Sequence, residues 1–133
     1  MKAKLEAKAL TQTVKALSTL EKLDADTKKK PDDEGGFKGI LSVEEDRLIF
    51  DVTNFGAYVQ KSIEATTLRK GSVGINLKDL QKLKLTGGVV IEHIEEKGIL
   101  VVKTPKVSYD IPADQESVDI VQAALLQLSG AGA

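Results

Sequence analysis

Val43-Glu44-Glu45-Asp46-Arg47-Leu48-Ile49-Phe50 and Ile94-Glu95-Glu96-Lys97-Gly98-Ile99-Leu100-Val101 read as two copies of one strand–turn–strand segment, aligned at a constant offset of 51 positions. The same offset carries Thr53 onto Thr104 and Tyr58 onto Tyr109. A strand-like run and a helical run precede each copy, 2–7 with 10–23 and then 72–75 with 77–85. Self-similarity at a fixed spacing is a statement about architecture before it is one about chemistry. The unit is β-α-β-β-β, used twice.

Outward from these segments the elements follow from periodicity. Met1-Lys2-Ala3-Lys4-Leu5-Glu6-Ala7 alternates as a half-buried strand does, with Lys2, Lys4 and Glu6 on the wet side. Leu10, Val14, Leu17 and Leu20 make one apolar helical stripe, opposite Lys8, Gln12, Lys15, Thr19 and Lys22. That outer face carries no acid. Residues 24–36 are charged and turn-rich and read as a loop. Strands are expected over 37–43, 47–52 and 57–65, and 66–70 bridges to the second unit. There, Asn76 is the expected N-cap, Leu77, Leu80 and Leu83 the buried stripe, and Lys78 and Lys82 the opposite side. Gly87-Gly88 stops the helix, and strands over 89–94, 98–104 and 106–111 complete the repeat. Pro112-Ala113-Asp114 then leads into a third helix over 115–128, whose stripe is Val118, Val121, Leu125 and Leu128. The tail 129–133 is small-residue chain expected to fray.

Composition narrows the function classes. The 133 residues suit one domain, and 41% hydrophobic with 29% charged residues is ordinary for a soluble globular chain. With no Cys there is neither a disulfide framework nor a thiol nucleophile. No apolar run reaches the ~18 residues of a membrane span, and no signal-peptide core opens the chain, so cytoplasm is the expected location and no membrane partner is expected. Five aromatics and no Trp make a base-stacking platform a poor fit. The net charge of −1 is unevenly spread: residues 1–30 hold eight Lys against four acids, and 31–133 hold eleven basic residues against sixteen acids.

Single residues support no enzyme. His93 is the only histidine and has no nucleophile or second ligand patterned with it, so it reads as a strand residue. Asp46, Asp51 and Glu44-Glu45 are turn acids, and no metal site or cofactor is expected. Lys28-Lys29-Lys30 is offset by Asp32-Asp33-Glu34 and reads as a solvated loop. Gly71, Gly74, Gly87 and Gly88 have turn and cap spacing and form no phosphate loop.

The order strand–helix–three strands, repeated, resembles one domain of the bacterial beta sliding clamp, the processivity subunit of the replicative polymerase, and most of all its first domain. The residues that carry the resemblance are Met1-Lys2-Ala3-Lys4-Leu5 leading into the helix, then Leu48-Ile49-Phe50-Asp51-Val52-Thr53-Asn54-Phe55-Gly56-Ala57-Tyr58-Val59. Val73-Gly74-Ile75-Asn76-Leu77-Lys78-Asp79-Leu80 and Tyr109-Asp110-Ile111-Pro112-Ala113 continue it. It covers about 1–113, with 114–133 as a helical extension and tail. It implies an α+β processivity fold with two helices on one face of antiparallel sheets. It also implies helices facing duplex DNA through Lys8, Gln12, Lys15, Thr19, Lys22, Lys78 and Lys82, which would contact phosphates without sequence preference.

The departures are as informative. A clamp strings three such domains on one chain, the extension stands where clamps have a linker, and the 28–36 loop is longer and more charged than the family's. One domain cannot encircle a duplex, so a ring requires a homo-oligomer, joined across the sheet edges at 57–65 and 106–111. The alternative is a clamp-fold interaction module without a ring. It would hold a replication or phage-type protein through the Val118, Val121, Leu125 and Leu128 stripe or an open edge. The clamp's peptide groove is not carried over, because the family places it on later domains.

Overall fold

In a computed structural model, residues 1–18, 38–54 and 57–130 are described, apart from the side chains of 54, 57, 124, 125 and 127–130. The elements in order are β1 (Lys2–Glu6), α1 (Ala7–Leu17), β2 (Lys38–Glu44), β3 (Arg47–Asn54), β4 (Ala57–Glu64) and β5 (Thr66–Arg69). After them come β6 (Gly71–Asn76), α2 (Leu77–Gln81), β7 (Gly88–Ile94), β8 (Ile99–Lys103), β9 (Ser108–Pro112) and α3 (Gln115–Gly130). Two antiparallel sheets result, ordered β4-β3-β2-β6 and β5-β1-β7-β8-β9. Each unit therefore lends its first strand to the other's sheet: β6 pairs with β2, and β1 with β7. This exchange locks the two units into one body.

The duplication is real, but its offset is not constant. Glu44 faces Arg47 across a two-residue turn, while Ile94 faces Ile99 across a four-residue turn. Structural equivalence is thus a shift of 50 from β2 to β7 (Glu44 to Ile94) and of 52 from β3 to β8 (Arg47 to Ile99). The value of 51 holds only at the turn itself. Parity explains why this matters, since a one-residue slip turns every side chain to the opposite face. Leu48 and Phe50 correspond to Leu100 and Val102, all fully buried, and not to Ile99 and Val101, which are half-buried. The tyrosines part company for the same reason. Tyr58 bonds the Asp51 carboxylate on the outer face of its sheet, whereas Tyr109 packs toward the core and donates to the Lys84 carbonyl at 3.4 Å. The turns differ in chemistry as well. Glu45 and Asp46 both have positive φ (50° and 58°), as a tight hairpin requires, while Glu95–Lys97 form a 3₁₀ turn closed by Gly98 at φ 62°.

Local sequence accounts for most elements. Ala3 and Leu5 point inward from β1, and Leu10, Val14 and Leu17 from α1. Asn76 caps α2, its side-chain oxygen accepting from the Lys78 amide at 3.0 Å. That helix ends at Gln81 and does not reach residue 85; Leu83 and Leu85 follow as half-buried chain against the core. The 66–70 bridge holds a strand, β5, paired along β1. One apolar cluster joins both helices, including Leu77 and Leu80, to the inner faces of both sheets.

α3 lies on the other side of the four-stranded sheet, across β2, β3 and β6. Strand alternation turns Ile40 away from Leu41 and Val43, and Ile40 is nevertheless buried, as is Val121 of α3. Contact is close because Gly74 has no side chain: a Cβ there would lie 2.4 Å from the Asp114 carbonyl oxygen. Asp114 opens the helix. Its carboxylate accepts from the Glu116 amide at 2.9 Å, the Ser117 hydroxyl at 3.0 Å and the Lys38 ammonium at 3.3 Å. Burial alone would push this carboxyl up. The hydrogen bonds from Ser117, Lys38 and Glu116, with the Lys38 charge, outweigh it and hold Asp114 below the usual carboxylate range.

A pH dependence follows. A depressed folded-state pKa stabilises above the unfolded value, ~4, and that contribution is lost as pH falls through the folded one. Asp114→Ala is expected to cost about 1–2 kcal/mol at pH 7, the usual loss of an N-cap. The gap between variant and parent should narrow as pH falls below the unfolded value and through the depressed folded-state one, in urea titrations followed by circular dichroism. A gap that stays constant from pH 7 to 2.5 would contradict this role.

Candidate nucleic-acid interface

α1 has one buried and one wet side. Thr13 stays on the buried side, with its hydroxyl turned back to the Ala9 carbonyl at 2.8 Å. Lys8, Gln12 and Lys15 are exposed and recur at i, i+4 and i+7, which sets them in a row along the outer face. No acid interrupts that row within Ala7–Leu17. Thr19 and Lys22, expected to extend it, lie outside the described residues.

The second helix repeats part of this pattern because it is the same element used again. N-caps Glu6 and Asn76 correspond at a shift of 70, as do Ala7 with Leu77 and Leu10 with Leu80. Lys8 then corresponds to Lys78, and Gln12 to Lys82. Lys82 is exposed at the helix end, and Lys78 is half-buried beside Asp79. The helices pack side by side. Between them lies a groove of about 270 Å³ walled by Leu10, Val14, Leu80, Leu83 and Leu85, with Lys15 and Gln81 at its wet side. Sequence reading did not foresee this groove, since it depends on α2 stopping early.

The other expected site residues behave differently. Val121 is buried and Val118 half-buried against the chain's own sheet, where a Cβ on Gly74 would meet Val118 Cγ2 at 2.5 Å. Those two are thereby withdrawn from any partner-binding face, a correction to the reading of the stripe as an outward interface. The Leu125 and Leu128 side chains lie outside the described residues. His93 is half-buried on β7, its amide bonded to the Met1 carbonyl at 2.9 Å. No group of three or more His, Cys, Asp or Glu among the described residues is arranged to hold a metal ion. No helix among them is long and apolar enough to cross a membrane.

Two interlocked β-α-β-β-β units, with paired helices against the inner faces of two antiparallel sheets, define the DNA sliding-clamp fold. Solved structures bear this out. The chain is similar to the Helicobacter pylori beta clamp bound to a DNA ligase peptide, at TM-score 0.66 and 19% identity over 86% of this chain and 31% of that one. It is also similar to the DNA polymerase sliding clamp of Caulobacter crescentus, at TM-score 0.67 and 21% identity over 86% and 30%. The DNA polymerase III subunit beta of Pseudomonas aeruginosa gives TM-score 0.68 and 13% identity over the same shares. At these identities the likeness establishes the fold, and the chain spans less than a third of each clamp's length. No protein-family model and no curated protein matches the chain.

Proposed function

We propose that this chain is a clamp-like, non-enzymatic DNA-associated module that self-associates and holds duplex DNA without sequence preference. The observation that carries the reading is the exposed row Lys8, Gln12 and Lys15, with lysines again at the equivalent places of the second helix, Lys78 and Lys82. Cations on a rigid helix face neutralise phosphates and release counterions, which gives affinity without base readout. Thr19 and Lys22 extend the proposed contact by sequence alone.

Self-association is proposed through the sheet edges. β4 and β9 are outermost strands of their sheets and offer backbone groups to a neighbouring copy. The position of α3 is compatible with this, since it covers β2, β3 and β6 on the side away from α1 and α2. The same open edges would serve the second reading, a module that holds a protein partner by strand addition.

The test is fluorescence anisotropy with a labelled duplex over a salt series. Lys8→Glu, Lys15→Glu and Lys82→Glu together are expected to weaken binding at least tenfold. They should also flatten the slope of log K against log salt by about 0.9 for each phosphate that the variant no longer neutralises. Unchanged affinity and slope in a folded triple variant would remove DNA from the reading and leave the partner-binding alternative.

A further inference from the structure

The two sheets are related by the duplication, yet only one has its outer face covered. On the four-stranded sheet α3 lies over the surface that carries Gly74, Ile40 and Ile49. By the strand equivalences, the matching positions on the five-stranded sheet are Lys4, Val90 and Val101. No element of the described chain packs there. Val90 and Val101 are half-buried, and Leu68 of β5 beside them is 52% exposed. They line a shallow cavity of about 620 Å³ together with Lys2, Lys4 and Lys103. Glu92, the acid in this lining, is engaged by Arg69 at 3.3 Å. The open face is therefore an apolar floor with Lys2, Lys4 and Lys103 around it, Glu92 standing opposite Lys2 and Asp110 opposite Val101.

The chain carries a surface of opposite charge. α3 has no basic residue from Gln115 to Gly130. Its side away from the sheet exposes Glu116, Asp119, Ala123 and Leu126 at i, i+3, i+7 and i+10, and Leu126 is 72% exposed. Acids lead that row and apolar residues end it. We propose that the outer face of the five-stranded sheet receives the outer row of α3 from a second copy of this chain. Glu116 and Asp119 would meet the Lys2, Lys4 and Lys103 side, and Ala123 and Leu126 the Leu68, Val90 and Val101 floor. Each copy then presents the helix at one place and the receptor face at another, a heterologous contact that propagates head to tail. The contact uses neither β4, β9 nor the lysine row of α1, so it stands or falls separately from the proposed DNA function.

Light scattering on the full chain over a concentration series at low salt tests it. The mass is expected to rise reversibly with concentration and to fall back as salt screens the charged groups. Lys4→Glu with Lys103→Glu, and separately Glu116→Lys with Asp119→Lys, should each weaken association at least tenfold while keeping the parent circular dichroism spectrum. Mixing the two variants should restore it, because each then supplies the charge that the other's reversed surface needs. A parent that stays a single copy throughout overturns the proposal, as does a variant that associates like the parent or a mixture that fails to regain mass. Association of both variants at the parent's strength would also assign the contact to the sheet edges.

Discussion

Leu100→Ala is expected to lower the unfolding free energy by about 2–5 kcal/mol, the range for a fully buried leucine whose cavity cannot collapse. Ile99→Ala, one residue away, should cost about 1 kcal/mol or less, as for a position half open to water. The contrast is a direct test of register. A constant repeat offset of 51 equates Leu48 with Ile99 and predicts Ile99 as the core residue. The ladder equates Leu48 with Leu100, at a shift of 52, and both are 0% exposed. Urea titration followed by far-ultraviolet circular dichroism suits a chain with no Trp, and comparable m-values would keep both variants on a two-state footing. Equal losses, or a larger one at Ile99, would mean that β8 is set one residue out of place.

That one-residue difference shows where sequence reading succeeds and where it stops. Alternation over Lys2–Glu6 and the Leu10, Val14 and Leu17 stripe report local geometry, so strands, helices and the duplication were legible. The Asn76 cap was legible too, since a capping side chain acts within its own turn. Register was not, because it depends on how many residues each turn absorbs, and Glu95–Lys97 with Gly98 absorb two more than Glu45 and Asp46 do. Thr66–Arg69 read as a bridge because three of its four residues are exposed and its pairing with β1 spans more than sixty positions. Lys38 is the clearest case of a long-range contact that local pattern does not report. A lysine at a strand start reads as solvated, yet its side chain is only 7% exposed and its carboxylate partner lies 76 residues away. The lysine row on α1 could be placed because helical spacing alone decides which residues share a face. The destination of the Val118 and Val121 stripe could not, because amphipathicity states that a face is buried without stating against what.

Gly74→Val tests that last point most severely, and is expected to cost about 3 kcal/mol, the upper part of the range for overpacking a close contact. The new Cβ would stand 2.4 Å from the Asp114 carbonyl oxygen, 2.5 Å from Val118 Cγ2 and 2.9 Å from the Val118 amide nitrogen. Two of these are backbone atoms, so no rotamer change relieves the clash. The Asp114 amide also donates to the Gly74 carbonyl at 2.7 Å, which ties the helix start to β6. The helix must lift, and its lifting removes Asp114 from Lys38 and strips the cover from Ile40. Gly88→Ala is the matched control: no atom lies within 4 Å of a Cβ placed there, and a change under about 0.5 kcal/mol is expected. Hydrogen exchange separates local from global damage, since α3 amides should lose protection before those of β2 and β3 do. The lysine row of α1 belongs to the opposite side of that sheet, so a folded Gly74→Val protein should keep whatever salt-dependent affinity for duplex DNA its parent has. Gly74→Val as stable as Gly88→Ala, with α3 still protected, would show that the helix is not held where Gly74 requires it.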